Sequence, residues 1–277
     1  LSRNNQSRLQ APQPAFSVDP VSAMPQTHIS ISVPSEFVEL PSRGMFYPPS
    51  HPLHRKPSIE IKHMTAKEED ILTSEALIKK GLVLDRLIQS VILDKNIDPS
   101  SLLVCDRNAI LIAIRITGYG PEYEATATCP ACGQKHDINY DLEQAENIEY
   151  VKPEDVHFSD RGSCIVKLPK SGDTIEFRLL TGYDEKEVLN VDKTSVASTL
   201  VTDQLKSLIL TINGNEDIAF INAYVTGMSA FDSRYLRKAI KSSTPNVDLK
   251  YSLSCNKCNT QSVVEVPIGI KFFWPDA

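Results

Sequence analysis

Two Cys-x-x-Cys pairs, Cys129/Cys132 and Cys255/Cys258, stand 126 residues apart in a chain of 277. Four thiols in two such pairs suit one tetrahedral zinc ion, each short turn supplying two ligands. The long gap is the constraint on the fold. Two distant stretches of chain must meet at the metal, so the site must tie the two halves together. The turns have matching chemistry. In Cys129-Pro130-Ala131-Cys132-Gly133 the glycine permits the positive φ that closes the turn. Cys255-Asn256-Lys257-Cys258-Asn259 carries asparagine there, the next most tolerant residue. Strand-like sequence flanks each pair, which predicts two hairpins facing each other as a zinc ribbon. Cys129, Cys132, Cys255 and Cys258 are therefore the expected ligands of a structural Zn2+.

Three other uses of these residues fit the pattern less well. Cys-Pro-Ala-Cys resembles dithiol oxidoreductase turns, but those open a helix whose dipole lowers the thiol pKa, and here a glycine and a polar strand follow. A catalytic zinc needs an open coordination position, which four thiolates close. His136 could stand in for one cysteine. The same place in the second hairpin is Ser262, so a surface or outer-shell histidine is the expectation. Cys105 and Cys164 have no partner motif and read as buried small apolar side chains. Cysteine usage of this kind suits a reducing compartment better than a disulfide framework.

The cysteine pairs belong to a longer internal match. Asp106 lies 23 residues before Cys129, and Asp232 lies 23 residues before Cys255. Ala113-Ile114-Arg115 falls on Ala239-Ile240-Lys241. With a changed offset, Ser58-Ile59-Glu60-Ile61-Lys62 reads against Thr174-Ile175-Glu176-Phe177-Arg178, and Val38-Glu39-Leu40-Pro41 against Val166-Lys167-Leu168-Pro169. The order is the same throughout, which points to a tandem duplication. The fold class expected is α+β, two related repeats joined by a shared zinc ribbon. The divisions expected are an extended N-terminal arm at 1–37, a first repeat at 38–150, a linker at 151–165 and a second repeat at 166–277 with an aromatic tail. Each repeat reads as a strand, then helices, then a cysteine hairpin. Ile59 and Ile61 alternate with polar residues as in a half-buried strand. Thr65 to Glu68 has the spacing of a capping box. Val83, Leu84, Leu87, Ile88, Val91 and Ile92 form one apolar helical face. Asp106 is expected to cap the next helix, which ends near Gly118-Tyr119-Gly120. Strands are expected over 122–128 and 136–142. In the second repeat Val201, Leu205, Leu208 and Ile209 form the apolar face, and a helix is expected from about Ser229 to Ser242.

The formal net charge of -6 weighs against general nucleic-acid binding. No apolar run reaches the roughly 18 to 20 residues of a membrane-spanning helix, and no signal-peptide pattern is visible. There is no phosphate-binding glycine loop, nucleophile elbow or His-x-x-x-His helix. Asp106-Arg107-Asn108 looks like a catalytic triplet, but a helix cap with solvated neighbours accounts for it. No enzyme activity is expected.

Before about Glu36 the sequence is rich in Asn, Gln, Ser and Pro without periodicity, a composition that cannot fold alone. Such an arm is expected to be held by another chain or by the protein's own body, the first being preferred. Residues 43–57 form a Pro-rich loop with a small aromatic cluster. At the other end, Phe272-Phe273-Trp274 can plug a partner's groove or pack back on its own core.

Leu40-Pro41-Ser42-Arg43-Gly44, the run Met64 to Leu72, Asp106-Arg107-Asn108-Ala109-Ile110 and the Cys129-Pro130-x-Cys132-Gly133 turn together resemble the T4-type bacteriophage baseplate protein family, associated with the baseplate hub. The resemblance covers most of the chain from about residue 36 and supplies no active-site residues. It implies a structural component of a contractile tail, in the hub or inner baseplate, that joins neighbouring subunits and is oligomeric only through the assembly. Its partners would be other baseplate or tail proteins. Its place would be the virion, after assembly in the host cytoplasm. Two rivals remain: a transient assembly chaperone and a nucleic-acid-binding zinc-ribbon protein. The second predicts a basic stripe near the cysteine turns, where Lys135, Lys250 and Lys257 stand among Glu122, Glu124, Asp137 and Asp248.

Overall fold

Each half of the chain starts with a short antiparallel strand pair whose inward residues alternate. A computed structural model describes residues 33–148, 155–191, 200–266 and 272–274. Nearly all of the expected N-terminal arm lies outside them, as do 149–154 of the expected boundary region. In the first half, β1 (Ser35–Glu39) pairs with β2 (Ser58–Lys62), Val38 facing Ile59. Ile59 and Ile61 are buried, as the alternation predicts. β1 therefore begins inside the range expected for the arm. Helices α1 (Ala66–Thr73), α2 (Glu75–Lys79), α3 (Val83–Val91) and α4 (Val104–Tyr119) follow, then the hairpin β3 (Glu122–Thr128) and β4 (Lys135–Asp141).

A short strand β5 (Glu146–Ile148) leads to β6 (Val156–Phe158), β7 (Cys164–Lys167) and β8 (Thr174–Phe177). Thus β6 and the start of β7 occupy the later part of the stretch expected as a linker. Then come α5 (Gly182–Val191), α6 (Leu200–Leu208), β9 (Ile209–Ile212), α7 (Ile218–Gly227) and α8 (Ala230–Ser243). The chain continues through β10 (Asn246–Asp248) and the hairpin β11 (Lys250–Ser254) and β12 (Gln261–Glu265). β6-β7-β8-β9 form one four-stranded antiparallel sheet; β10 pairs with β5 across the two halves. The molecule is mixed α and β, with small sheets.

Local chemistry explains the boundaries. Thr65 donates its N–H and its hydroxyl to Glu68, the capping box that starts α1. Thr181 does the same to Asp184 at α5. α3 buries Val83, Leu87, Ile88 and Val91, while Leu84, expected on that face, is partly exposed. α4 ends at Gly120, whose φ of 83° takes the chain out of the helix. Asp106 does not cap α4. Leu103 is the N-cap residue, and Asp106 lies a turn inside, fully buried. Its neighbour Arg107 is also buried rather than solvated, paired with Asp85 at 2.8 Å.

One contiguous apolar core runs through both halves, from Leu40 and Ile61 to Val166, Phe177 and Leu253. α4 lies at its centre, apolar or paired on nearly every side. α8, at the matching sequence place, carries Arg234, Arg237, Lys238 and Lys241 exposed. The halves are also joined at their helix starts. Val104 N–H donates to the Leu180 carbonyl and Gly182 N–H to the Leu102 carbonyl, both at 3.0 Å. The Pro-rich loop and the aromatic end turn inward. Phe46, Tyr47 and Leu53 are buried in the loop. Phe272 packs edge-on against Tyr123 of β3, with ring centroids 5.1 Å apart. Of the two readings of that end, the one that packs back on the protein's own core holds for Phe272 and Phe273.

Candidate metal centre

The two cysteine hairpins have the same register. Ala125 faces Ile138 in one and Tyr251 faces Val264 in the other, and these pairs share the 126-residue offset of the cysteines. Both tips close alike. Cys129 N–H donates to Gln134 O and Gly133 N–H to Cys129 O. Cys255 N–H donates to Thr260 O and Asn259 N–H to Cys255 O. Gly133 and Asn259 have φ of 72° and 53°, so both occupy the left-handed region expected from their residue types.

These turns bring the four cysteines together across the chain. Their sulfurs all lie within 4.8 Å of one another. Cys129 Sγ is 3.8 Å from Cys258 Sγ, and Cys132 Sγ is 3.6 Å from Cys255 Sγ. A tetrahedron with metal–sulfur bonds of about 2.3 Å requires sulfur separations of about 3.8 Å. A disulfide requires about 2.05 Å. The set therefore fits a metal ion, and all four are free thiols. Two of the four thiols come from each half. Cys129 and Cys255 are buried, Cys132 is half-buried and Cys258 is exposed.

The thiols differ in acidity. Hydrogen bonding from the Thr260 side chain and backbone lowers Cys258 to about 6. At Cys132 the Gln134 N–H pulls down, but burial and the other three sulfurs push it up to about 11. A divalent cation bound to the four sulfurs would displace their protons. Thr260 had no sequence signal beyond its closeness to Cys258. His136 is outside the ligand set, with Nε2 3.3 Å from Cys255 Sγ. Cys105 and Cys164 are buried free cysteines, their thiols raised chiefly by burial.

Matching contacts recur away from the sulfurs. Asp106 Oδ1 accepts the Ser42 N–H and Asp232 Oδ1 accepts the Lys170 N–H, each at 3.0 Å. Both donors follow a Leu-Pro step, Leu40-Pro41 and Leu168-Pro169. Lys62 pairs with Glu68 and Arg178 with Asp184, each at 2.7 Å, at the two capping boxes. The internal sequence match aligns these positions but does not mark the carboxylates as buried acceptors. Sequence reading also missed α7, whose Ile218 and Phe220 are exposed, as is Phe231 at the start of α8. The apolar run Ile218-Ala219-Phe220 was the available signal.

Residues 35–273 match the family model described as T4 bacteriophage base plate protein. No curated protein and no solved structure matches. The match spans most of the chain, and the chain belongs to this family.

Proposed function

We propose that this member of the T4 bacteriophage base plate protein family is a structural, non-catalytic subunit of a contractile-tail baseplate, in the hub or inner baseplate. It joins neighbouring subunits and holds them at a fixed spacing. Its two halves are tandem copies of one unit, 38–150 and 166–277, clasped by a single structural Zn2+ on Cys129, Cys132, Cys255 and Cys258. Residues 1–37 act as an arm that wraps a neighbour.

The observation that carries this reading is the family match across 35–273. The duplication is supported by the common hairpin register and by the paired Asp106 and Asp232 contacts. The clasp is supported by the sulfur separations and by the origin of the ligands, two from each half. Zinc is favoured over other metals by four thiolates in a tetrahedral set. Host cytoplasm keeps such thiols reduced during assembly. The apolar loop and tail are used inside the protein, so the joining surfaces lie elsewhere. Ile218, Phe220 and Phe231 are large exposed apolar side chains of the kind that subunit contacts cover.

The test is the composition of purified particles. The chain is expected in finished tails at a whole-number ratio to the tail-axis proteins. Its presence in assembly intermediates and absence from finished tails would replace this reading with that of a transient chaperone. A nucleic-acid reading draws on the four exposed cations of α8. A mobility-shift series against salt is expected to give no retained DNA or RNA.

A further inference from the structure

We propose that His136 is a positioning residue of the metal centre, donating its Nε2–H to the Cys255 thiolate and so fastening one half of the protein to a ligand of the other. The inference rests on the four cysteines holding one metal ion. His136 lies on β4 in the first hairpin, opposite Ala127. Cys255 opens the turn of the second hairpin. Their contact, Nε2 to Sγ at 3.3 Å, therefore crosses between the halves as the metal does.

The direction of the bond follows from charge. A metal-bound cysteine has lost its proton, so the sulfur can only accept, and the ring nitrogen must carry the hydrogen. Four thiolates around one divalent cation leave two excess negative charges on the sulfurs. A donor aimed at one of them withdraws part of that charge and fixes the orientation of the sulfur. Outer partners of this kind change metal affinity by about 10- to 100-fold when removed.

The second hairpin supplies an internal contrast. Ser262 faces Leu253 there as His136 faces Ala127, with the same 126-residue offset. Its Oγ is buried and has no partner among the described residues. Among the described residues, no side-chain N–H or O–H lies against the sulfur of Cys129, the counterpart of Cys255. The sulfurs of the two halves are thus held unequally. Cys255, a buried ligand, has the cross-half donor, and the exposed Cys258 has Thr260 from its own turn, 3.3 Å away.

The experiment compares wild type, His136→Gln and His136→Leu. Zinc affinity is read by competition with a chromophoric chelator, and the sulfur-to-metal charge-transfer bands are read on the cobalt-substituted proteins. The Leu variant is expected to bind zinc about 10- to 100-fold more weakly, with shifted bands. The Gln variant, which keeps an N–H at similar reach, is expected to stay within a few-fold of wild type. Unchanged affinity and unchanged bands in the Leu variant would overturn the proposal while leaving the four-cysteine site intact. A wild-type protein whose cobalt spectrum lacks four-thiolate bands would instead remove the site on which it rests. If the Leu variant does not fold, NMR of wild type loaded with NMR-active cadmium decides the matter. A slowly exchanging Nε2–H coupled to the metal is expected, and a ring nitrogen bound to the metal, or a freely exchanging ring, would overturn the proposal.

Discussion

Asp106 is a carboxylate with no exposure, and four donors converge on it: the Ser42 N–H, the Ser42 hydroxyl, the Tyr47 hydroxyl and, more weakly, the Cys105 thiol. Burial raises its pKa, against the pull of those hydrogen bonds. Asp232 is also buried but serves fewer donors, the Lys170 N–H and the Ser229 hydroxyl. Removing a buried acceptor strands its donors, at a cost of about 1–3 kcal/mol for each group left unsatisfied. Asp106→Ala is therefore expected to lower stability by at least about 3 kcal/mol, and Asp232→Ala by less, read from urea midpoints. Equal losses would show that the donors around Asp106 find other partners. The sequence marks Asp106 as equivalent to Asp232 through their common distance from the cysteines. It does not reveal the role, because the chief donor, Ser42, is 64 residues away. A helix cap is the nearest local explanation of an aspartate at that place. Only the tertiary fold replaces it with a buried anchor for the loop.

At the scale of elements, two helix starts share one design. Glu68 begins α1, with a cation, two hydroxyls and a backbone N–H around it. Burial alone pushes its pKa up, but the bonds from Lys62, Ser90 and Thr65 outweigh it and bring it to about 2 from an ordinary 4.5. Asp184 at α5 is lowered in the same way, burial being outweighed by Arg178 and Thr181. A depressed carboxylate contributes stability above its unfolded pKa, and that stability is lost as pH falls through its folded value. The acid limb of unfolding is thus expected between about pH 4.5 and 2. Glu68 contributes up to about 3 kcal/mol there. Glu68→Gln is expected to flatten that limb when urea midpoints are followed against pH. A limb of unchanged steepness would mean that other carboxylates carry it. The capping box at α1 was legible because Thr-x-x-Glu is a local pattern; its counterpart at α5, with Asp184 in place of the glutamate, was seen only in the structure. The difference between α4 and α8 was not legible. Matching segments gave two helices, but which one lies at the centre is decided by how the halves pack. α4 is enclosed, so Arg107 and Arg115 need buried partners, whereas α8 faces solvent with four cations.

Across the whole molecule, the halves do not form two separate cores. They share one core, a strand pair between β5 and β10, and ion pairs from Glu185 to Arg107 and from Lys186 to Asp85. A metal ion at the cysteines adds a further bond between hairpins that are far apart in sequence. Structural zinc sites in small peptides contribute about 10–16 kcal/mol of apparent binding free energy. On that scale, an ion bound there would be a large part of what holds the halves in one arrangement. The meeting of Cys129, Cys132, Cys255 and Cys258 was legible in the sequence, because two Cys-x-x-Cys turns of matching chemistry call for each other. The direction taken by the aromatic end was not, since the contact of Phe272 with Tyr123 joins opposite halves of the chain and leaves no local pattern. The most direct test is the metal content of the purified chain, compared with the paired variants Cys129→Ser/Cys132→Ser and Cys255→Ser/Cys258→Ser. One zinc per wild-type chain, with none retained by either paired variant, is predicted. Two zincs per chain, or a zinc kept by a variant that has lost one pair, would contradict a single metal shared between the halves.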